Sequence, residues 1–497
     1  MLLSRLIDPL PEKRIVGTVD PEIEQIAYDS RRVVPGTLFA CIRGSRFDGH
    51  NFIPDALKNG ASAILADRAV STSPDGSAVP TVLVPEVRKA LPVLANRFYG
   101  YPSRHLKLVG ITGTNGKTTT TYLVESMLRA AGVPAGVIGT LGARIKGTPA
   151  PTERTTPESV DLQKLLSQMV QEGVRAVAME VSSHALAMHR TEGCEFDVGV
   201  FTNLTQDHLD FHSSIEDYLQ TKMLLFREYP QSSSKTFIAV VNLDDPYGEE
   251  VARSTHGKVI TYGISSEADV RATNVNATAE GISFRAATPV GNFDLSLKLG
   301  GLFNVYNSLA AIGAGIALGL GMGEIKSGLS SVSPVAGRFE AVGQGKDFGV
   351  IVDYAHTPDG LENVLKSARF LTTGRLIVVF GCGGDRDKAK RPIMGRIASE
   401  LADFCIVTSD NPRSEPPEQI AEEIIAGIDR SKAGQVKVVL DRREAIRQAL
   451  ETARSGDLVV VAGKGHETYQ IFKDKTIPFD DREVVRELLG CLDSKDD

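Results

Sequence analysis

Lys117 lies within a run rich in small and hydroxylated residues, Gly110-Ile-Thr-Gly-Thr-Asn-Gly-Lys-Thr-Thr-Thr120. The run lies between the apolar segment Leu106-Lys-Leu-Val109 and the helical pattern Tyr122-Leu-Val-Glu-Ser-Met-Leu128. A strand, a Gly-containing loop, a Lys and a helix in that order make a phosphate cradle. The glycines let backbone N–H groups turn inward, and the new helix aims its positive end at the phosphates. Lys117 can reach the terminal phosphates, and the Thr118 hydroxyl can ligate Mg²⁺. The spacing departs from the usual G-x-x-x-x-G-K-[ST], because Ile111 stands where the first Gly would be. Gly110 comes one residue earlier; Gly113, Thr114, Asn115 and Gly116 form the loop, and Thr119 adds a second hydroxyl. A tight turn without a ligand is the plainer interpretation, but strand, helix, lysine and hydroxyls together favour a nucleotide site.

Other candidate groups lie far from this loop in sequence. Glu180 ends the strand-like Ala176-Val-Ala-Met-Glu180, where a carboxylate near a phosphate loop is placed to hold Mg²⁺. Thr202-Asn-Leu-Thr-Gln-Asp-His-Leu-Asp-Phe-His212 gathers ionisable groups around His208. Lys222 sits in the helical pattern Ile215 to Phe226, where residue type alone suggests a solvated helix lysine. Asn304 and Asn307 open another helix, a position that also suits capping. Three C-terminal segments follow strand-like runs: Gly381-Cys-Gly-Gly-Asp-Arg-Asp387, Asp410-Asn-Pro-Arg413 and Gly463-Lys-Gly-His-Glu467. If those strands are parallel, all three meet at one sheet edge. Arg386 and Arg413 with Glu467 suit a zwitterionic amino acid, since guanidinium binds carboxylate in a two-bond fork and a carboxylate binds ammonium.

The elements that must position these residues imply three α/β domains, consistent with 497 residues. Residues 1–103 read as a small α/β unit with short strands near Ile26–Ser30, Thr37–Ile42, Ala63–Ala66 and Thr81–Val84. Residues 104–335 read as an ATPase domain of the P-loop type. Its strands at Leu106–Ile111, Arg175–Val181, Val198–Thr202 and Thr236–Asn242 alternate with helices, as in a mostly parallel sheet covered on both faces. Residues 268–299 alternate in polarity and predict a small antiparallel sheet. Beyond Ser333-Pro-Val-Ala-Gly337, residues 336–497 hold five strand-helix units and predict a Rossmann-like domain.

Net charge is −7, so no global basic field argues for nucleic acid. Arg5 and Asp8 interrupt the N-terminal apolar run, unlike a secretory signal, and the apolar stretch Ala310–Met322 is too short to span a bilayer. The five cysteines are scattered, which fits a reducing cytoplasm and neither a zinc site nor a disulfide framework. A cytoplasmic monomer without nucleic-acid or membrane partners is the expectation.

Thr112-Gly-Thr-Asn-Gly-Lys-Thr-Thr119 resembles the ATP loop of the Mur ligases, which build the peptide stem of peptidoglycan. Folylpolyglutamate synthases typically have Gly-Ser after the Lys; Thr118-Thr119 favours the Mur side. The resemblance implies that Glu180, His208 and Thr118 serve metal ions and that Lys222 is carbamylated, an anion suited to Mg²⁺. It implies that Asn304 contacts adenine and that Arg338 and Asp353, with the segment to His356, close over the nucleotide. Ser30, Ser45, Arg46, Phe47, Arg154, Thr155, Thr156, Ser183 and Arg190 match segments that hold the UDP-sugar peptide. Met188 replaces a Gln common in relatives, and Arg154 replaces a usual Asn.

In the family, Asp410-Asn411-Pro412-Arg413 marks the ligases that add meso-diaminopimelate, with Arg386, Gly463 and Glu467 completing the pocket. The implied reaction is ATP-driven amide formation on the D-Glu side-chain carboxylate of UDP-N-acetylmuramoyl-L-Ala-D-Glu through an acyl phosphate. Folylpolyglutamate synthase shares this ligase chemistry and is the nearest alternative. A P-loop kinase or ATPase is the other, but it needs no amino-acid pocket.

Overall fold

The computed structural model describes residues 1–44, 47–70, 79–150, 152, 154–209, 211–278, 281–333, 335–343 and 347–493. The N-terminal sheet comprises β1 (Arg14–Val16), β2 (Gln25–Ala27), β3 (Thr37–Ala40), β4 (Ala61–Ala66) and β5 (Thr81–Leu83). Strands β2 to β5 are parallel, with β1 antiparallel on the β5 edge. The expected strand to Ser30 stops at Ala27, because the Asp29 side chain caps a 3₁₀ turn, Ser30–Arg32, by accepting the Arg31 N–H.

The central sheet is built on β6 (Lys107–Thr112), β7 (Ala135–Gly139), β8 (Gly142–Ile145), β9 (Thr148–Ala150), β10 (Ala176–Glu180), β11 (Val198–Phe201), β12 (Ile238–Asn242) and β13 (Lys258–Gly263). It continues through β14 (Val270–Ala277), β15 (Ile282–Ala287) and β16 (Phe293–Leu297). The order is β16-β15-β14-β13-β12-β11-β6-β10-β7-β8-β9. The parallel strands run from β14 to β7, and β6 lies between β10 and β11. The chain leaves β6 in one direction and later returns to its other side, so the loop after β6 occupies the switch point where α/β sheets bind ligands. The antiparallel β14–β16 was expected as a sheet of its own. It instead extends the central sheet, because Tyr262 and Gly263 of β13 pair with Val270 and Arg271 of β14.

Beyond the exposed Lys107 both faces of β6 are buried, which explains its mostly apolar character. Val109 and Ile111 pack with Leu123, Val124 and Met127 of the helix Lys117–Ala130 and with Val305 and Leu309 of Phe303–Ala317. Leu108 packs on the other side with Leu162, Leu166, Tyr218, Met223 and Phe226.

The C-terminal sheet has β17 (Glu340–Ala341), β18 (Gly349–Asp353), β19 (Leu376–Phe380), β20 (Phe404–Val407), β21 (Val436–Val438) and β22 (Leu458–Ala462). Its order is β17-β18-β22-β19-β20-β21, with only β17 antiparallel, so the five expected units form a doubly covered parallel sheet. A short hairpin, β23 (Tyr469–Ile471) with β24 (Thr476–Pro478), follows it. No helix among the described residues is long and apolar enough to cross a membrane.

Candidate active site

The loop after β6 needs its glycines. Gly113 and Gly116 have φ of +144° and +86°, and a Cβ would meet Thr202 Oγ1 at 1.9 Å and Asn307 Oδ1 at 2.3 Å respectively. Asn115 N–H donates to Asn203 Oδ1 (2.9 Å), and Thr202 Oγ1 donates to the Asn115 carbonyl (2.6 Å). The segment after β11 thus shapes the loop from behind. Asn304 donates to the Gly300 carbonyl (2.7 Å) and accepts from Asn307 Nδ2 (2.8 Å), which fixes both amides beside Gly116. Thr118 and Thr119 are buried in the first turn of the following helix.

Lys117 Nζ folds back on its own loop, donating to the carbonyls of Gly113 (2.9 Å) and Thr114 (2.8 Å). Lys222 is not a solvated helix lysine. Its helix, Ile215–Gln231, is capped by Ser214, and Lys222 is only 1% exposed. Its Nζ donates to the Gly113 carbonyl (3.0 Å) and lies 4.3 Å from the centre of the Tyr218 ring. Burial, reinforced by the charge of Lys117, pulls the Lys222 ammonium well below the usual lysine range, with Asp207 opposing. Burial also lowers Lys117, opposed by the negative charges of Glu180 and Asp207.

Glu180 is buried at the end of β10 and accepts the Thr140 N–H (2.8 Å) and hydroxyl (3.0 Å). Thr155 Oγ1 lies 3.2 Å from the same Thr140 hydroxyl, and Thr156 donates to the Glu180 carbonyl (2.8 Å). His208 Nε2 is 3.3 Å from Asp207 Oδ2, and burial pushes its pKa down to about 3 against the pull of that carboxylate. No cluster of three His, Cys, Asp or Glu side chains is poised for a metal among the described residues. The donors around Lys117 are instead a threonine hydroxyl and separate carboxylates, oxygen groups of the kind Mg²⁺ takes while keeping several waters.

The C-terminal domain reaches into this centre. Arg338 donates to Thr118 Oγ1 (3.1 Å), with its guanidinium 4.5 Å from the centre of the Tyr354 ring. Asp353 is tied to the backbone N–H groups of Phe339 (2.6 Å) and Ala355 (2.7 Å), so it holds the hinge in shape, and burial raises its pKa. Asn115 Nδ2 donates to Asp359 Oδ2 (2.6 Å), a contact across 244 residues that no local pattern announces. The buried Lys390 donates to the His356 carbonyl (2.9 Å), and its charge also acts on Asp207. Between the two domains lies a cavity of about 580 Å³, lined by Asn115, Gly116, Asn307, Arg338 and His356, among others.

The three C-terminal segments do meet. Asn411 Nδ2 donates to Glu467 (2.8 Å), and Arg413 Nη1 donates to the carbonyl of Gly384 (2.8 Å) in the Arg386 loop. Gly463 has φ +118°, and a Cβ there would lie 2.7 Å from Asp410 Oδ2. Pro412 is buried between Asn411 and Arg413. Arg386 is exposed and donates to its neighbour's carbonyl, Asp385 O (3.0 Å). Burial depresses the Arg413 pKa, and the charge of Arg386 depresses it further, so the two guanidinium groups feel each other. Glu467 already pairs with the fully buried Lys464 (2.8 Å), a partner the sequence pattern did not single out. Backbone pairing supplies another unexpected element. Ile471 of β23 accepts the Arg413 N–H (3.0 Å) and donates to Asn411 Oδ1 (2.9 Å), which holds Arg413 at φ +53°.

On the N-terminal side, Arg190 and Arg154 converge on the buried Glu158 (3.0 and 2.7 Å), and Arg190 Nη2 is 3.2 Å from Met188 Sδ. The Ser183 hydroxyl is buried without a hydrogen-bond partner among the described residues. Ser30 is buried and Phe47 is 70% exposed; Ser45 and Arg46 lie outside the described residues.

A glycine-bearing loop at a sheet's switch point, faced across a cavity by a C-terminal α/β domain, is the architecture of a three-domain nucleotide-dependent ligase. Residues 22–99 match the description "Mur ligase family, catalytic domain", residues 111–315 "Mur ligase middle domain", and residues 337–465 "Mur ligase, glutamate ligase domain". A Geobacillus thermodenitrificans protein named UDP-N-acetylmuramoyl-L-alanyl-D-glutamate–2,6-diaminopimelate ligase is 48% identical over 490 residues, 98% of this chain and 99% of its own. A protein of the same name from Caldanaerobacter subterraneus is 48% identical, with 98% and 99% covered. The chain belongs to the Mur ligase family. A solved structure titled with that same ligase name superimposes with a TM-score of 0.68 at 32% identity, covering 99% of both chains. A Mycobacterium tuberculosis folylpolyglutamate synthase (TM-score 0.62, 19% identity) covers 74% of this chain and 91% of its own, and shares the fold alone.

Proposed function

We infer that this chain is the ATP-dependent ligase that joins meso-2,6-diaminopimelate to the D-Glu side-chain carboxylate of UDP-N-acetylmuramoyl-L-Ala-D-Glu. The observation that carries the amino-acid assignment is the pair Arg386 and Arg413. Neither makes an ion pair with a protein carboxylate among the described residues; Arg413 sits beside Asn411 and feels the charges of Glu467 and Arg386. Two uncommitted guanidinium groups call for carboxylate from a ligand, and lysine has one fewer than diaminopimelate. Full-length relatives bearing the ligase name support the same reading.

In this mechanism the γ-phosphoryl group passes from ATP to the substrate carboxylate, giving an acyl phosphate and ADP. The amine of diaminopimelate attacks the acyl carbon, and inorganic phosphate leaves. Lys117 gives up its two carbonyl acceptors and turns to the phosphates, offsetting the repulsion between phosphate and carboxylate. Thr118, Glu180, His208 and Lys222 as a carbamate would hold Mg²⁺, which supplies further positive charge at the phosphates when bound. Arg338 and Asp359 draw the C-terminal domain onto the loop and exclude water. The segments at Ser30 and at Arg154 to Thr156, with Ser183 and Arg190, would hold the UDP-sugar peptide. The enzyme acts as a cytoplasmic monomer, with Cys41, Cys194, Cys382 and Cys405 kept as buried thiols. The test is ADP release with the UDP-muramoyl dipeptide and each candidate amino acid. Diaminopimelate should stimulate it strongly; no stimulation, or equal stimulation by lysine, would remove the assignment.

A further inference from the structure

Arg391 stands in Lys388-Ala-Lys-Arg391, which in sequence looks like a solvated basic run, yet its side chain is fully buried. Its guanidinium makes a two-bond fork with Glu415, Nη1 to Oε2 (2.9 Å) and Nη2 to Oε1 (3.0 Å). Nη1 also donates to Glu423 (2.7 Å) and Nη2 to the Gly383 carbonyl (3.2 Å). Glu415 in turn accepts the Asp385 N–H (2.6 Å) and pairs with Lys388 (3.2 Å). Gly383 and Asp385 belong to the loop that carries Arg386, and Glu415 follows Arg413 by two residues. The pair therefore staples together the two loops that present the uncommitted arginines.

We propose that the Glu415–Arg391 pair is a positioning element that fixes the spacing of Arg386 and Arg413 and so sets the affinity for a dicarboxylic amino acid. The proposal rests on the amino-acid pocket argued above. Bringing two guanidinium groups together is unfavourable until a carboxylate arrives, and each is held partly by backbone carbonyls, Gly384 O and Asp385 O. A rigid brace is what keeps such cations from drifting apart before a ligand binds. Glu415 suits this task because it spends its charge on Arg391 and Lys388, leaving Arg386 and Arg413 for the ligand. The Arg391 hydrogen bonds also hold its carboxyl down at about 2, so it stays ionised at any working pH.

The experiment measures ADP release by the full chain while diaminopimelate, ATP and the UDP-muramoyl dipeptide are varied in turn. Glu415→Ala should raise the diaminopimelate KM by about tenfold or more, the scale of a displaced charged contact. The KM for ATP should stay within about twofold of the parent and kcat at saturating diaminopimelate within about fivefold, because the nucleotide loop belongs to another domain. Glu415→Gln should fall between, since its amide oxygen still accepts the Asp385 N–H but brings no charge to Arg391. If Glu415→Ala does not fold, as judged by circular dichroism, Glu415→Gln carries the test alone. A parallel rise in the KM for ATP, a loss of kcat at unchanged KM, or unchanged constants would each overturn the positioning role. A parent enzyme that ignores diaminopimelate would instead overturn the substrate assignment itself, and the positioning role with it.

Discussion

Replacing Arg413 by Ala isolates the contact on which the substrate assignment turns. Arg413 has φ +53°, a left-handed conformation that alanine adopts at a similar cost, so the substitution adds no new backbone strain. In the free protein the change removes hydrogen bonds to the carbonyls of Gly384 (2.8 Å) and Asn411 (3.4 Å). The backbone bond to Ile471 survives, so the loss of stability should stay near about 1–3 kcal/mol and leave the domain folded. On the proposed assignment binding should suffer more, because the distal carboxylate of diaminopimelate would lose the half-buried Arg413 as its charged partner. Removing one side of such a pair costs about 2–5 kcal/mol. At about 1.4 kcal/mol per factor of ten, the diaminopimelate KM should rise by about 30-fold to about 4,000-fold. The assay is ADP release at saturating ATP and UDP-muramoyl dipeptide, with both of those KM values measured in parallel. They should move little, since Arg413 lies on another domain's loop. L-Lysine should be a poor substrate for the parent, because it leaves Arg413 desolvated without a carboxylate. An unchanged diaminopimelate KM in Arg413→Ala, or equal use of lysine by the parent, would refute this reasoning.

Lys117→Ala should keep the fold and lower kcat by at least about a hundredfold, as when a preorganised donor is removed from a developing charge. Near-normal turnover at saturating ATP would sink that expectation. Lys222→Ala should be inactive and partly restored by a short added carboxylic acid, because the missing piece is an anion; substantial unrescued activity would make the lysine structural. Acid should destabilise the fold through buried imidazoles. Burial holds His356 down at about 4 and His466 at about 3, with Arg338 and Lys464 among the cations opposing their protonation, against 6.5 in the open chain. The unfolded state therefore binds more protons below pH 6.5, and the stability present above that value is lost as pH falls toward 4. His466→Gln should flatten this slope in denaturant titrations between pH 7 and 4.5, and an unchanged slope would count against it.

The strand, glycine loop and helix around Lys117 were legible in the sequence because the unit is local. Strand, glycines, lysine and helix are contiguous, although the contacts that force glycine at 113 and 116 come from Thr202, Asn203 and Asn307 and were not legible there. The three C-terminal segments were legible for a related reason: parallel strands of one sheet must bring their C-terminal loops to one edge. Tertiary structure decided what distance in sequence hides. Only packing shows that Lys222 points inward to the Gly113 carbonyl, since a helix lysine reads the same on either face. Only domain docking joins Asn115 to Asp359 and Thr118 to Arg338. The merger of β14–β16 with the central sheet depends on two residue pairs between β13 and β14, which alternation of polarity cannot specify. Arg391, Glu415 and Lys464 escaped notice because charge in a sequence suggests solvent. A buried guanidinium or ammonium becomes tolerable only when folding delivers its carboxylate partners, and no periodicity in the chain records that meeting.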